Sequence, residues 1–485
     1  MASPTESSND VAFSLKIRIP SENPSAKPTY VTTKGDANNP PASELANFVL
    51  SVDLREGINS AAIYADIAIQ DSAGLIQYLK GSETFEMKFT RGKDAAGYNL
   101  TAYNIDSRSR SGNSDVYIIQ CVQTEFLVNE VRNVFGSSKV LFKKSSTAKG
   151  IIETLMKDYI YGKDKNGNQI KPKNMFIEDS KNTHQFVATN WRVFDTIYWL
   201  AKHSVRSGSS DSAAQNGFLF WQSRLGYHFK SVDKMIQEIK EQKYETVTNP
   251  QTGKARLYRY RYEPKKSNDE TNDRFRIDSI VFPEDKNFLL ALRNGSFAGF
   301  SVAFDPSEFS NSDLSPETFA PVTYTFGKTD GSNKKVINFW NKMEHLESVN
   351  PVDLFEDGVR AMVNYPRRIR YGMLPNRVFD KNTNKSKDKK QYSELAYLQA
   401  YEHIRMTTLK NIQLIVKIPG NLDLYPGYGI EIVIPETVDK GGVIPKDVKY
   451  GGRYLIAAVR HLYDNNSLVT ELLLYKDSIK KSATK

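Results

Sequence analysis

The histidines are the side chains best suited to bind a metal or carry a proton at neutral pH, and their spacing decides whether they can act together. None of the six stands in an HExxH motif or at another metal-ligand spacing. We therefore interpret each of them as an ordinary polar residue: His184, His203, His228, His345, His403 and His461.

Other catalytic patterns are equally weak. Residues 92–97 read GKDAAG and have the outer glycines of a phosphate loop, but Tyr98 follows where that loop requires lysine, so we predict a turn. The sequence has no GxSxG elbow, and its carboxylates are too widespread for one pair to stand out as the acid and base of a glycosidase. The sequence thus predicts no catalytic, cofactor-binding or metal-binding residue, and no enzymatic activity.

The single cysteine, Cys121, lies in VYIIQCVQTE, which has the alternation and β-branched content of a strand. We expect a buried, reduced thiol. A lone cysteine excludes an intrachain disulfide framework and a cysteine metal site.

The net charge of +10 invites a nucleic-acid interpretation. In KARLYRYRYEPKK (Lys254–Lys266), tyrosines alternate with arginines, so a strand would present a tyrosine face able to stack on bases. We favour the alternative, a hairpin whose tyrosines pack inward and whose arginines stay solvated, because TNPQTGK just upstream is typical of a turn. Two further basic runs are PRRIRY (Pro366–Tyr371) and KNTNKSKDKK (Lys381–Lys390), of which the second has the composition of a polar loop.

The beginning of the chain, MASPTESSNDVAF, lacks the basic and apolar regions of a signal peptide. No segment approaches the roughly 18 apolar residues that a membrane-spanning helix needs. We expect a protein that is soluble or built into an assembly, without stable membrane insertion.

The stretch from Asn190 to Lys230 organises the rest of the chain. Asn190 can cap an amphipathic helix, and the segment Gly217–Ser231 then alternates as a hairpin that is apolar on both faces, around a tight turn at Ser223–Gly226. Such a hairpin must be covered on both sides. We predict that it begins a second β-barrel and pairs with C-terminal strands within 430–434 and 454–459.

Short strands with turn signals from Leu45 onward, and the alternating tail from Ile412, predict two β domains of similar texture. The predicted fold class is α+β and multidomain, with two small antiparallel β-barrel tube domains, an α-rich domain and a long mixed insertion. We also predict helices at about 234–243, 284–293, 335–345, 353–362 and 392–406. The predicted domains are an N-terminal strand and extended arm (1–40), a first barrel (41–125), an α-rich domain (126–214), a discontinuous second barrel (215–235 and 409–478) and the insertion (236–408).

Three blocks carry a resemblance to a known family. They are FVATNWRVFDTIYWLAKHSV followed by GFLFWQSRLGYHFKSVD; RIDSIVFPEDKNFLLALRNGSFAGFSVAFDP; and IPGNLDLYPGYGIEIVIP with GGRYLIAAVRHLYDNNSLVTELLLYKDS. In these patterns of aromatics, glycines and strand ends the chain resembles the central baseplate hub protein of contractile-tailed bacteriophages, and also the hub part of type VI secretion spike proteins. The region from about 236 to 410 is long for this family, and no lysozyme or needle sequence is present.

The resemblance implies a structural virion protein, a homotrimer whose paired tube domains form a pseudo-sixfold ring. Such a hub joins the sixfold tail tube to the threefold central spike and encloses a DNA channel. Its implied partners are further copies of itself, the spike protein, tail-tube or tube-initiator proteins and the surrounding baseplate wedge proteins, with DNA only passing through. It would lie in the virion's tail baseplate after assembly in the host cytoplasm, and it implies no cofactor.

Two alternatives belong to other classes. A structural protein that binds nucleic acid would need its basic runs to form one continuous patch. A tail-tip enzyme that degrades host glycans would need convergent carboxylates.

Overall fold

The computed structural model describes residues 11–19, 29–30, 42–77, 79–91, 94–135, 146–163, 166–184, 186–207, 215–244, 248–263, 274–283, 288–304, 320–326, 336–365, 368–373, 390–436 and 446–481. Within these ranges the chain is mostly β and multidomain. No helix of these ranges is long and apolar enough to cross a membrane.

The strands are β1 (Ala12–Ile19), β2 (Thr29–Tyr30), β3 (Val49–Gly57), β4 (Tyr64–Asp71), β5 (Thr84–Arg91), β6 (Asp94–Ser111), β7 (Ser114–Val122), β8 (Asn133–Phe135), β9 (Ser146–Thr147), β10 (Met175–Ile177), β11 (Thr183–His184), β12 (Thr189–Arg192), β13 (Phe218–Ser223), β14 (Gly226–Ser231), β15 (Tyr258–Arg261), β16 (Ser279–Val281), β17 (Ala298–Phe304), β18 (Ala320–Thr325), β19 (Val336–Asn338), β20 (Arg368–Met373), β21 (Ile412–Pro419), β22 (Gly429–Val433), β23 (Gly452–Asp464) and β24 (Ser467–Lys476).

The α-helices are α1 (Thr124–Val131), α2 (Ala148–Leu155), α3 (Val193–His203), α4 (Val232–Glu241), α5 (Phe288–Arg293), α6 (Asp357–Val363) and α7 (Lys390–Leu409). A π-helical turn, Met156–Tyr161, continues α2. The 3₁₀ helices are Ala42–Phe48, Leu75–Gln77, Trp340–Lys342 and Pro351–Leu354.

One thirteen-stranded sheet dominates the described residues. Its order is β16-β21-β24-β23-β3-β4-β7-β6-β5-β1-β2, with β22 also on β23 and β15 on β22. We call β1 to β7 the first β region, and β15, β16 and β21 to β24 the second β region. Along the described strands this path does not close on itself, so the two regions form one open sheet where two separate barrels were predicted. Closure of either barrel stays a prediction.

Each β region has its own apolar core, and strand alternation decides which side chains enter it. The first core includes Leu54, Ile67 and Phe89, and the second includes Leu414 and Ile432, all almost fully buried. Both segments in which the sequence predicts short strands therefore form β-sheet, with one face packed on an apolar core.

The α-rich part packs α2 and α3 against one face of the hairpin β13–β14. The predicted turn is confirmed, since Ser223 pairs with Gly226, but the predicted strand partner is wrong. Strand β14 pairs in parallel with β10, and no described C-terminal strand pairs with the hairpin. The hairpin reaches the second β region through side chains, as Trp221 does where it packs against Leu455.

Helix α3 begins two residues later than predicted. Asn190 has a positive φ of 59° and lies outside the helix, which starts at Val193. The side chain of Asn129 in α1 accepts a hydrogen bond of 2.7 Å from the Phe194 N–H instead. A distant residue thus caps the helix, which no local pattern indicates.

In the middle of the chain, α7 covers a four-stranded sheet in the order β19-β18-β17-β20. The helix predicted at about 335–345 is wrong: Val336–Asn338 forms β19, which pairs with β18, and only Trp340–Lys342 turns helically. The pairing overrides the local helical pattern. The helices predicted near 234–243, 353–362 and 392–406 correspond to α4, α6 and α7. Of the helix predicted at 284–293, residues 288–293 form α5, and residues 284–287 lie outside the described residues.

Candidate functional site at the junction of the two β regions

Strand β23 belongs to both β regions. Its first part, from Gly452 to Leu455, pairs with β22, and its second part, from Ala458 to Asp464, pairs with β3. A register shift between Ile456 and Ala458 lies where the strand leaves one partner and joins the other. A bulge bends a strand and increases its twist, so it suits the point at which one strand must serve two sheets.

The tip of the hairpin β23–β24 completes the first core. Tyr463 and Leu468 are buried there, and the ring of Tyr463 lies 4.6 Å from that of Phe13 in β1. The Val11 N–H donates a 2.9 Å hydrogen bond to the carbonyl of Asn466 in the turn. The first β region is therefore built partly from the distant C-terminal part of the sequence.

A row of polar side chains crosses the exposed face of this joined sheet. We call this row the polar ladder; its members, in order, are Lys417, Glu471, Arg460, Arg55, Asp53, Asp66, Gln120 and Asn104. Each member is the cross-strand partner of the next, except that Arg55 and Asp53 lie two residues apart on β3. The row is therefore continuous over seven strands.

Charges within the polar ladder compensate one another. Arg460 binds Asp53 at 2.8 Å and Glu471 at 3.0 Å, while Arg55 binds Asp53 at 2.7 Å and also Asp66. Burial alone would raise the pKa of Asp53, but hydrogen bonds from Arg460 and Arg55 lower it overall. The three cations and three carboxylates of the ladder sum to zero formal charge.

A buried polar cluster lies behind this face. Glu56 of β3 accepts a 3.1 Å hydrogen bond from the Arg224 N–H in the β13–β14 turn, and Tyr98 of β6 also hydrogen-bonds to it. The Arg224 guanidinium binds the Leu422 carbonyl at 2.9 Å and the Tyr425 hydroxyl. Burial raises the pKa of Glu56 to about 7, although the charge of Arg224 opposes the shift. This cluster ties the first β region, the hairpin and the loop before β22 together.

Hairpin β13–β14 is covered on both faces, as predicted. Phe220 and Phe229 enter the α-rich core, whereas Trp221 enters a cluster with Leu455 of β23. The Trp221 indole N–H donates to the Pro426 carbonyl at 3.1 Å. Gly427, with a φ of 86°, lies so close to the indole that a Cβ atom would come within 2.3 Å of it.

A further buried cluster fixes the middle of the chain to the end of β24. Asp477 accepts hydrogen bonds from Arg405 of α7 at 2.9 Å and from the Leu346 N–H at 3.1 Å, and its Oδ2 lies 3.1 Å from a His345 ring nitrogen. Burial would raise the pKa of Asp477, but the neighbouring Arg405 charge holds it far below the usual range.

His184 and His203 both pack against the Trp199 ring, whereas the other histidines have different partners. His228 stacks on Trp221 with ring centroids 4.8 Å apart, His461 lies 2.9 Å from the Thr470 hydroxyl, and His403 contacts Arg370 at 2.7 Å. Among the described residues, no three His, Cys, Asp or Glu side chains are grouped as a metal site would need. Cys121 is buried in the first core, as predicted, and burial raises the pKa of its thiol.

Strand β15 contains part of the segment in which tyrosines alternate with arginines, and the structure describes this segment as far as Glu263. Tyr260 is buried in the second core, whereas Arg259 lies at the surface and binds Glu431 at 2.8 Å. The inward packing is confirmed for Tyr260 and, half-buried, for Tyr258, but Tyr262 is 44% exposed. Strand β15 lies parallel to β22 and, among the described residues, is not one arm of a hairpin. Residues 264–266, most of 381–390, and Gly92 and Lys93 of the predicted turn lie outside the described residues.

Sequence reasoning missed the polar ladder and both buried clusters. Their residues look like ordinary charged positions in short strands and turns, and the only signal was a carboxylate or arginine at an inward strand position, as for Glu56.

No family model and no curated protein matches the sequence. Among solved structures, the chain is similar to the tail protein from Neisseria meningitidis MC58, at 10% identity and a TM-score of 0.49, over 96% of this chain and 97% of that one. The 43 kDa tail protein of prophage MuSo2 from Shewanella oneidensis is 7% identical, with a TM-score of 0.46, over 96% and 98%. A type VI secretion system component of E. coli is 10% identical, with a TM-score of 0.37, over 89% and 74%.

Proposed function

We propose that the chain is a structural protein of a contractile tail and that it forms a trimeric baseplate hub. The observation that carries this proposal is β23, which joins two β regions into one sheet with a continuous polar face. A protein built to act as a rigid wall needs such backbone continuity between its parts, whereas an enzyme needs a concave reactive site. The sequence resemblance supports the same role.

In the proposed ring, three copies supply six β regions, which gives the pseudo-sixfold symmetry that a sixfold tube requires above a threefold spike. The described sheet path ends at β16 and β2. An unpaired strand edge is a liability in water, and pairing between neighbouring copies in a ring removes it. We assign the edge at β16 to the contact between copies, and closure of each tube domain to the assembled state.

The polar ladder suits the lining of a DNA channel. Two of its three cations, Arg55 and Arg460, are already bound to carboxylates of the same sheet, so a passing polyanion meets few unpaired positive charges. DNA therefore passes without being held. Around this ring we place the central spike, the tail-tube or tube-initiator proteins and the wedge proteins, all in the virion's tail baseplate.

The nucleic-acid-binding alternative receives no support from β15. Tyr258 and Tyr260 pack on the second core, so these two rings cannot stack on bases, and Arg259 is bound to Glu431. Only Tyr262, just after the strand, is exposed among the tyrosines of this run. The alternative of a glycan-degrading enzyme likewise has no observation in its favour.

Sedimentation of the purified full chain at physiological salt tests the proposal. We expect a species with three times the mass of one chain, and ring-shaped particles by electron microscopy. Val281→Lys, at a position of β16 that is 54% exposed, should weaken the trimer because a lysine on a strand edge disfavours pairing. Leu289→Lys, 56% exposed in α5, is the matched control and should leave the trimer intact.

A stable monomer that binds duplex DNA would overturn the hub and favour the nucleic-acid-binding alternative. A trimer that both lysine variants leave unchanged would keep the hub but remove β16 from the contact between copies.

A further inference from the structure

A cleft of about 360 Å³ lies on the second β region, where β15 and β22 pair in parallel. A turn at Asp447–Gly451 forms its other wall and is tied to β22 by the bond from the Asp447 N–H to the Ile434 carbonyl, 2.8 Å. We call this the β15 cleft. Its charged lining comprises Arg259, Arg261, Glu263, Glu431, Lys446, Asp447 and Lys480.

Two of the acids in the β15 cleft already have internal partners. Glu431 is bound by Arg259 at 2.8 Å and by the Tyr244 hydroxyl. Burial would raise the pKa of Glu431, but these two hydrogen bonds lower it overall. One Asp447 carboxylate oxygen accepts the N–H groups of Lys449 and Tyr450, at 2.8 and 2.9 Å. These two carboxylates therefore serve the fold. The charged lining has four cations and three carboxylates, which leaves a formal charge of +1.

Three of the cations in the cleft remain available to a ligand. The guanidinium of Arg261 is 56% exposed, and the only carboxylate near it in the described chain is that of Glu263, at 3.9 Å. Lys446 and Lys480 are exposed, and neither forms an ion pair within the described residues. These three exposed cations lie on one cleft, and among the described residues only a distant contact from Arg261 to Glu263 offsets their mutual repulsion. An anion that binds there relieves this repulsion as well as forming its own contacts.

The cleft floor adds an apolar strip and close backbone. Val433 lies half-buried between the charged residues. Gly452 has a φ of 119°, and a Cβ atom there would meet the Glu347 carboxylate at 2.5 Å and the Lys476 ammonium at 3.1 Å. Lys476 lies buried behind the floor, where burial lowers its pKa to about 8 and the charges of Glu347, Asp477 and Asp447 oppose that shift. Its charge is therefore balanced by these carboxylates, and the cations that face a ligand are those at the surface.

We propose that the β15 cleft binds an acidic, extended peptide segment of a partner protein, with its carboxylates on Arg261, Lys446 and Lys480. Carboxylates on alternate residues of a strand point to the same side, and an apolar side chain between them would meet Val433. A peptide can keep its charges away from Glu263, whereas a nucleic acid carries a charge on every phosphate and would be repelled there. The inference goes beyond the proposed hub and does not depend on it.

Fluorescence anisotropy with the full chain tests this inference. The probe is a fluorescein-labelled octapeptide of alternating glutamate and valine at low salt, and the control probe has glutamine in place of glutamate. We expect the glutamate peptide to bind and the glutamine peptide not to bind. The double variant Lys446→Glu, Lys480→Glu should weaken binding about tenfold or more, because each reversal replaces an attraction by a repulsion.

A matched control reverses two exposed lysines elsewhere, Lys88 in β5 and Lys149 in α2, and should bind the peptide as the unaltered chain does. Both double variants must sediment as the unaltered chain does, which shows that they fold. Equal affinity in the two double variants would overturn the proposal, because the attraction would then follow net charge only. So would a labelled single-stranded DNA that competes with the peptide and binds more tightly in the same cleft.

Discussion

Two hairpins join the parts of this molecule, and they do so in different ways. Hairpin β23–β24 is long and uses its backbone: its two ends belong to different β regions, and its ladder continues into both. Hairpin β13–β14 is short and uses its side chains, one face packed on the α-rich core and the other on the second β region. Backbone pairing fixes the direction and register of the paired strands, whereas side-chain packing on two faces fixes the distance between the parts that pack on the hairpin.

Because the two hairpins make different kinds of contact, their loss should have different consequences for the fold. A residue of β13–β14 can be altered with a local cost in packing. Loss of β23 or β24 removes strand partners, core residues and a turn from the first β region, although these strands lie at the other end of the sequence.

The largest effect should follow from ending the chain before Asn411, which removes β21 to β24. Strand β3 then loses one of its two strand partners, Tyr463 and Leu468 leave the first core, and the second core loses most of its side chains. Burial contributes about 25 cal/mol for each Å² of apolar area, so the exposed cores should aggregate. Sedimentation at matched concentration and salt measures the outcome, with a chain ending at Lys481 as the control. A soluble trimer from the shorter chain would show that the two β regions are independent.

A smaller but still large effect is expected at the other hairpin. Trp221→Ala should lower the free energy of unfolding by about 3 to 5 kcal/mol, because it leaves a cavity under Gly427 and an unpaired Pro426 carbonyl. Urea unfolding measures the change. Trp221→Phe should cost less, and Leu354→Ala, at an exposed position, should cost almost nothing. A loss for Trp221→Ala no greater than for Leu354→Ala would mean that the packed second face of the hairpin contributes no stability.

The junction also predicts a dependence on pH. Glu56 has a pKa of about 7 in the folded chain and about 4.5 when unfolded, so folding favours its protonated form. Its contribution to stability is complete below pH 4.5 and is lost as the pH rises to 7, a change of about 3 kcal/mol. Glu56→Gln mimics the protonated form, so its stability relative to the unaltered chain should rise between pH 4.5 and 7 and then level off.

Urea unfolding at several pH values checks this dependence. The control is Glu153→Gln, at an exposed position in α2, whose stability relative to the unaltered chain should stay constant over the same range. A parallel pH profile for Glu56→Gln and the unaltered chain would show that Glu56 is not held in its protonated form.

Much of the local structure could be predicted from the sequence. Period-two alternation located β13, β14, β21 and β24, and paired asparagines located the turn at Asn465 and Asn466, both of which adopt the positive φ that this turn needs. Such patterns are local because they reflect which face of one strand is buried. They do not indicate which other strand pairs with it.

The junction could not be predicted for that reason. Asp53 and Arg460 are 407 positions apart, and nothing in either short strand indicates the other. The aromatic faces of the hairpin β13–β14 predicted correctly that it is covered twice, but the same faces fit a strand partner and a packing partner equally well. Its actual strand partner, β10, is only three residues long and gives almost no periodic signal.

The smallest effect is expected in the polar ladder. Arg460 and Asp53 form a two-point contact at 2.8 and 3.0 Å, but the Arg460 side chain is 46% exposed and water screens the pair. Exposed ion pairs typically contribute about 0.2 to 1 kcal/mol, so a double-mutant cycle of Arg460→Ala and Asp53→Ala should give a coupling free energy within that range, decreasing with added salt. Backbone pairing between β3 and β23, and not this contact, then holds the two β regions together. A coupling free energy above about 2 kcal/mol that salt does not reduce would contradict this conclusion. The side-chain contacts of the polar ladder would then hold the two β regions together.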